Sequence, residues 1–266
     1  MTARTARLPQ AGETVGDGTL TIQAGGKGAN QAVAASRLGA TSTLIGAVGD
    51  DEPGRSVLGR LRDAGVRTAR VATVAAATGA ALIVVDDEGE NQIAVCPGAN
   101  AHIRIADGDI NAGAVVLTQL EVPLATIVEA SRSGVGYLAL NAAPAQPLPA
   151  ELIDRCDLII VNETEYAALP ELANAKLVAV TYGADGAALV KHGHEILRVP
   201  AVRANVVSSV GAGDAFCAAL TLGLASGVDP ELALRVSAAV GADAVSHEDS
   251  QPPLRRWEEY VAALDD

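Results

Sequence analysis

The segment Gly211-Ala212-Gly213-Asp214-Ala215-Phe216 opens a long Ala/Leu-rich stretch, and its residue types suit phosphate chemistry. Consecutive backbone N–H groups at a helix start form a nest for an anion, and the helix dipole adds to it. An Asp in such a place is most often a helix cap. It also suits general base catalysis, taking a proton from a substrate hydroxyl while the nest holds charge developing on a phosphoryl group. A second segment, Gly25-Gly26-Lys27-Gly28-Ala29-Asn30-Gln31, precedes another helical stretch. Its glycines let backbone approach a ligand, and Lys27 and Asn30 offer donors for hydroxyls. A P-loop needs Ser or Thr after its Lys, and here Gly28 follows; the dinucleotide pattern GxGxxG is also unmet. The plain alternative is a tight strand-to-helix turn with a solvated Lys. Asn162-Glu163-Thr164-Glu165 follows the apolar run DLIIV, and fits either a helix cap or water-mediated contact with the Mg²⁺ of a nucleotide. Thr181-Tyr182-Gly183-Ala184-Asp185-Gly186 is a further glycine turn, weak by itself.

These segments need a frame. Short apolar runs at Thr43–Val48, Val115–Leu120, Tyr137–Leu140, Leu158–Val161, Leu177–Thr181 and Ala187–Val190 read as strands. Gly54–Ala64, Ala215–Ala225, Pro230–Val245 and Pro253–Leu264 read as helices, the last with Trp257 as its packing anchor. That alternation is the pattern of an α/β protein with a parallel sheet, in which ligands bind beyond the carboxyl ends of the strands. Glu121, Asn141 and Asn162 fall there. Residues 13–24 and 80–97 differ: ALIVV, the turn DDEGEN and QIAVC predict a hairpin, and Thr19–Gln23 an added strand, together forming a small accessory sheet. One domain over residues 1–266 with this lid is the simplest organisation.

Composition narrows the function. Hydrophobic residues make up 49% of the 266 and aromatics only 2%, so the core must be built from Ala, Val, Leu and Ile. A net charge of −13 disfavours nucleic acid and anionic membranes as partners. No apolar run approaches the roughly 20 residues of a membrane span, and the first ten residues hold no leader-like apolar stretch. The three cysteines, Cys96, Cys156 and Cys217, lack metal spacing, read as small apolar fillers and suit a reducing cytoplasm. His192 and His194 read as solvated turn residues rather than metal ligands.

The ordered set GGKGANQ, EGEN, PGAN, QLE, NETE, TYGADG and GAGDAF, from about Pro9 to Pro252, resembles the ribokinase branch of the phosphofructokinase-B-type sugar kinases. The resemblance implies a three-layer α/β/α fold with a mostly parallel central sheet and a β-clasp lid that pairs two subunits. It implies ATP-dependent phosphorylation of the primary hydroxyl of D-ribose to ribose 5-phosphate, with Mg²⁺. Asp214 would be the base; Gly211, Ala212 and Gly213 the anion hole; Gly26, Lys27, Asn30 and Glu121 the sugar contacts. Asn162 and Glu165 would serve Mg²⁺–ATP, with Thr181, Gly183 and Gly186 near the nucleotide. Another pentose, deoxyribose or a nucleoside is the alternative acceptor, and a binding protein with little turnover the alternative class. A lid carrying Ile93 and Val95 rather than aromatics favours a free sugar.

The chain departs from that pattern in three places. The family opens with a strand and a Gly-Ser-x-Asn-x-Asp segment whose last Asp binds the sugar; Met1 stands just past that point, so the expectation is that the natural chain starts upstream. The strand's absence should leave unpaired backbone inside the sheet. Ser208-Ser209 replaces the usual Asp-Thr, and Asp249 in HEDSQP replaces a Gly of the monovalent-cation loop. Either a carboxylate has crossed the cation site or the site has lost its ion; weak or absent K⁺ activation is the expectation.

Overall fold

The structure, a computed structural model, describes residues 1–265. Its main ladder has six strands. Four are parallel: β7 (Val115–Gln119), β8 (Tyr137–Asn141), β9 (Leu158–Asn162) and β10 (Val178–Thr181). Two antiparallel strands, β11 (Ala187–Lys191) and β12 (His194–Val199), extend the far side. β12 falls where the sequence suggested only a polar turn around His194, because its exposed outer residues hide the strand pattern.

Successive residues of the central strands enter different cores. Leu138, Leu140, Ile159 and Val161 face the helices α3 (Leu124–Ser131) and α4 (Ala150–Arg155), whose Ile127 and Leu152 are fully enclosed with them. Ala139, Leu158 and Ile160 point the other way, toward Phe216, Leu220 and Leu234 of α6 (Ala212–Ala225) and α7 (Pro230–Ala244). A strand buried on both faces must be apolar throughout, which is why these runs do not alternate. Small side chains such as Ala215, Ala218 and Ala219 let α6 lie close to its neighbours, and α8 (Trp257–Asp265) closes this layer. Its most deeply buried anchor is Tyr260, bonded to Asp243 at 2.5 Å; the expected anchor, Trp257, packs against the same core and over Gly223 but stays partly exposed. The hydroxyl explains the difference: Tyr260 can be enclosed because its polar end has a partner.

The sheet does not run on past β7. A separate parallel pair, β3 (Thr43–Gly49) and β4 (Arg67–Val74), stands apart from the six-stranded ladder. β7 pairs only with β8, and β3 only with β4. Helix α1 (Lys27–Arg37) spans the division: Ala29 and Val33 pack with Leu61 of α2 (Glu52–Asp63), while Ala34 packs with α6 and α7.

A third sheet of four strands has the order β2-β1-β5-β6. β5 (Ala80–Val85) and β6 (Asn91–Cys96) form the expected hairpin, its turn held by the buried Asp86 carboxylate accepting from the amides of Glu88 and Glu90. β2 is limited to Thr19–Thr21, and β1 (Thr2–Arg4), absent from the sequence expectation, inserts between β2 and β5. Three residues are too few to give a periodic signal. Cys96 is exposed on β6, so it is not the apolar filler expected; Cys156 and Cys217 are buried. No helix of the described residues is long and apolar enough to cross a membrane.

Candidate active site

Strands β7 to β10 end on polar residues at matching registers: Gln119 lies beside Asn141, and Asn162 beside Thr181. Helices α1 and α6 start at this same end, and the side chains that meet there come from all these elements.

Gly211 takes a left-handed backbone, φ 84°, just before α6. A Cβ there would lie 2.2 Å from the Ser250 carbonyl oxygen, so only glycine permits the turn and its closeness to the loop before α8. The turn brings Asp214 to the third position of α6, but its carboxylate caps nothing: no side-chain cap bond closes this helix. Instead Asn30 Nδ2 donates to Asp214 Oδ2 at 2.9 Å, and Gln31 Nε2 donates to Oδ1 at 3.0 Å. The choice between cap and reactive carboxylate left open by the sequence is thereby decided against the cap. Burial pushes the Asp214 carboxyl above its ordinary pKa; the bonds from Asn30 and Gln31 and the charge of Lys27 pull it back, while Glu121 pushes it up.

Lys27, at the first turn of α1, is tied to Glu121. Its backbone N–H donates to Glu121 Oε2 at 3.0 Å, and its ammonium lies 3.8 Å from Oε1. Both side chains keep about a third or a quarter of their surface open, so donor and acceptor can be reached from solvent. Gly26 stands next to Lys27, at the N-cap of α1. Gly26, Lys27, Asn30, Glu121, Asp214 and the Gly211–Gly213 turn are therefore one cluster.

The residues expected on the nucleotide side form a second group. Asn162 and Glu165 make a reciprocal capping box at the start of α5 (Glu163–Ala168): Glu165 N donates to Asn162 Oδ1 and Asn162 N to Glu165 Oε2, both at 2.8 Å. Thr181 donates weakly to the Val161 carbonyl at 3.5 Å. Gly183 is exposed, whereas Gly186 is buried with φ 94° and its Cβ would lie 2.1 Å from the Val199 oxygen. Packing against β12 accounts for Gly186 whatever else it does. The buried Cys217 of α6 lies between the two groups, its thiol raised by burial and by the charges of Asp214 and Glu165.

Ser208 and Asp249 do not contact one another. Ser208 Oγ accepts from Val210 N at 3.3 Å, while Asp249 accepts from Arg60 at 2.9 Å and from Gln251 N at 3.0 Å. Among the described residues no group of three His, Cys, Asp or Glu side chains is arranged to hold a metal ion. A hydrated Mg²⁺ carried by nucleotide phosphates needs no such group. Sequence reasoning passed over Gln31, Gln119 and Gln251, whose buried amides surround Asp214 and its partners. The available signal was polar residues closing apolar runs, as in VVLTQ.

Residues 1–257 match the pfkB family of carbohydrate kinases. The ribokinase of Bacillus subtilis (strain 168) is 38% identical over 245 residues, covering 86% of this chain and 83% of that protein. The deoxyribokinase of Salmonella typhi is 31% identical over 288 residues, covering 97% and 94%. The structure of Arabidopsis thaliana ribokinase complexed with ribose and ATP superposes with a TM-score of 0.88 at 29% identity, covering 100% of this chain and 95% of that one. With the family match over nearly its whole length, this chain belongs to the pfkB family of carbohydrate kinases, phosphotransferases that act on sugar hydroxyls.

Proposed function

We propose that the protein transfers the γ-phosphoryl group of ATP to the primary hydroxyl of D-ribose, giving ribose 5-phosphate and ADP. The observation that carries this is the Asp214 carboxylate, held by Asn30 and Gln31 beside the glycine turn at the start of α6. Asp214 takes the hydroxyl proton, the freed oxygen bonds to the γ-phosphorus, and the bond from that phosphorus to the bridging oxygen breaks, leaving the electron pair on ADP. The amides of Gly211, Ala212 and Gly213 stabilise the charge on the phosphoryl oxygens. Lys27, Asn30, Glu121 and the backbone of Gly26 bind the sugar, and Asn162 and Glu165 would hold, through its waters, a Mg²⁺ that neutralises charge on the phosphates. Thr181 and Gly183 flank the nucleotide.

The four-stranded sheet is the lid of this single kinase domain and also joins two copies of the chain. Support comes from its registers: Leu20 and Leu82 are exposed on one face, Ile93 and Val95 on the other, so two apolar surfaces await cover. Three free thiols and a net charge of −13 suit a protein of the cytoplasm with no nucleic-acid partner. Asp249 is engaged by Arg60, which supports weak or absent K⁺ activation.

Phosphorylation of D-ribose by ATP and Mg²⁺, measured for the wild type and Asp214→Asn, tests the reading. Turnover that the variant loses supports it. Faster turnover on deoxyribose than on ribose would favour the second acceptor, a reading that the deoxyribokinase relative keeps in play. Binding of ribose without turnover in the wild type would overturn the kinase assignment.

A further inference from the structure

Five amide side chains, Asn30, Gln31, Gln119, Asn141 and Gln251, are buried around Asp214. Burying an amide is costly unless it is bonded, and these are bonded in one direction. Gln119 Nε2 donates to Gln31 Oε1 at 3.0 Å. Gln31 Nε2 then donates to Asn141 Oδ1 at 3.2 Å and to Asp214 Oδ1 at 3.0 Å. Asn141 passes its own donor to the Ile160 carbonyl at 3.2 Å. On the other flank Gln251 Nε2 donates to Asn30 Oδ1 at 3.2 Å, and Asn30 Nδ2 donates to Asp214 Oδ2 at 2.9 Å.

We infer that Gln31 is a positioning residue for Asp214: held by Gln119 and Asn141, its amide fixes one carboxylate oxygen and keeps the group in its proton-accepting, ionised form. Gln31 is 2% exposed, so it acts through Asp214 rather than on a substrate. Its amide cannot turn over, because that would set its NH₂ against the NH₂ of Gln119. Asp214 therefore meets a donor on each oxygen, and a protonated carboxyl would press its own hydrogen against one of them. The charged and titratable neighbours are few. Lys27 on α1 favours the carboxylate, Glu121 after β7 opposes it, and the Cys217 thiol on α6 stays neutral. Burial opposes ionisation most strongly, and the donors from Gln31 and Asn30 counter it.

The inference rests on Asp214 being the base, and pH profiles of kcat/KM for ribose separate the two claims. Gln31→Met keeps the length of the side chain without the donor. It should lower kcat about 10- to 100-fold and move the acid limb up by about one pH unit or more, leaving the KM for ATP near the wild-type value. Gln119→Met touches nothing on Asp214 yet frees the Gln31 amide to turn; it should move the same limb the same way by less. A limb that stays put in the folded variants, with activity falling only as thermal stability falls, would overturn the positioning role. If Gln31→Met does not fold, the limb of Gln119→Met decides alone. Full activity of Asp214→Asn would instead overturn the base itself.

Discussion

Around Asp214, polar side chains from α1, β7, β8 and the loop before α8 are buried, and each has a named partner. In the sheet β2-β1-β5-β6 apolar side chains stand exposed on both faces. The first region spends polar burial on a fixed direction for one carboxylate. The second leaves apolar burial unspent until something covers it. On the proposed reading of this sheet as a lid, the contrast separates the part of a kinase finished before substrate arrives from the part that gains its contacts on closure.

The largest expected effect strikes the finished region. Asp214→Asn should reduce ribose phosphorylation by about 10²–10⁴, read in a coupled assay for ADP. For the wild type, kcat/KM should fall as the pH drops through the Asp214 pKa, because only the carboxylate accepts the proton. Burial, the leading influence, places that limb above the ordinary aspartate value of 3.8. A limb at or below that value would contradict the picture of a carboxylate partly withdrawn from water.

Gly211→Ala comes next. A side chain at φ 84°, meeting the Ser250 carbonyl, should disturb the turn, costing about 10²-fold in kcat together with a lower melting temperature. The lid divides the comparison further. Leu20→Asp with Leu82→Asp alters one face, and Ile93→Asp with Val95→Asp the other. If the sheet joins two copies as proposed, one pair should convert that dimer to monomer in sedimentation; the other should raise the ribose KM about tenfold or more without changing the oligomeric state. Equal behaviour of the two pairs would break the division of labour between the faces. The smallest effect should come from K⁺ added at constant ionic strength, which should leave the rate almost unchanged; a large increase would mean that the Arg60–Asp249 pair gives way to an ion.

Much of this was legible in the sequence. The central strands were readable because an apolar run of four or five residues closed by Gln or Asn has few other uses, and GAGD before an Ala-rich stretch marks a helix start with an Asp in its first turn. What was not legible depended on long-range company. Whether Asp214 is a cap or meets two amides is settled by residues nearly two hundred positions away on α1. β1 is three residues long and gains its place only from neighbours. Tyr260 is buried more deeply than Trp257 because Asp243 takes its hydroxyl. The buried glutamines drew no reading of their own, since a lone Gln carries no periodic sign of being enclosed.

The division of the main sheet has a consequence for cooperativity. The ladder β7–β12 and the pair β3–β4 share no hydrogen bonds, so nothing in the backbone requires them to open together. Helix α1 rests on both, and the same helix carries Lys27, Asn30 and Gln31. Amide exchange would read the two ladders as separate units with distinct protection, joined through this one helix. A ligand bound at the head of α1 would then do more than occupy a pocket: it would couple two units that otherwise fluctuate on their own, and slow exchange in β3–β4 on saturation would be its trace.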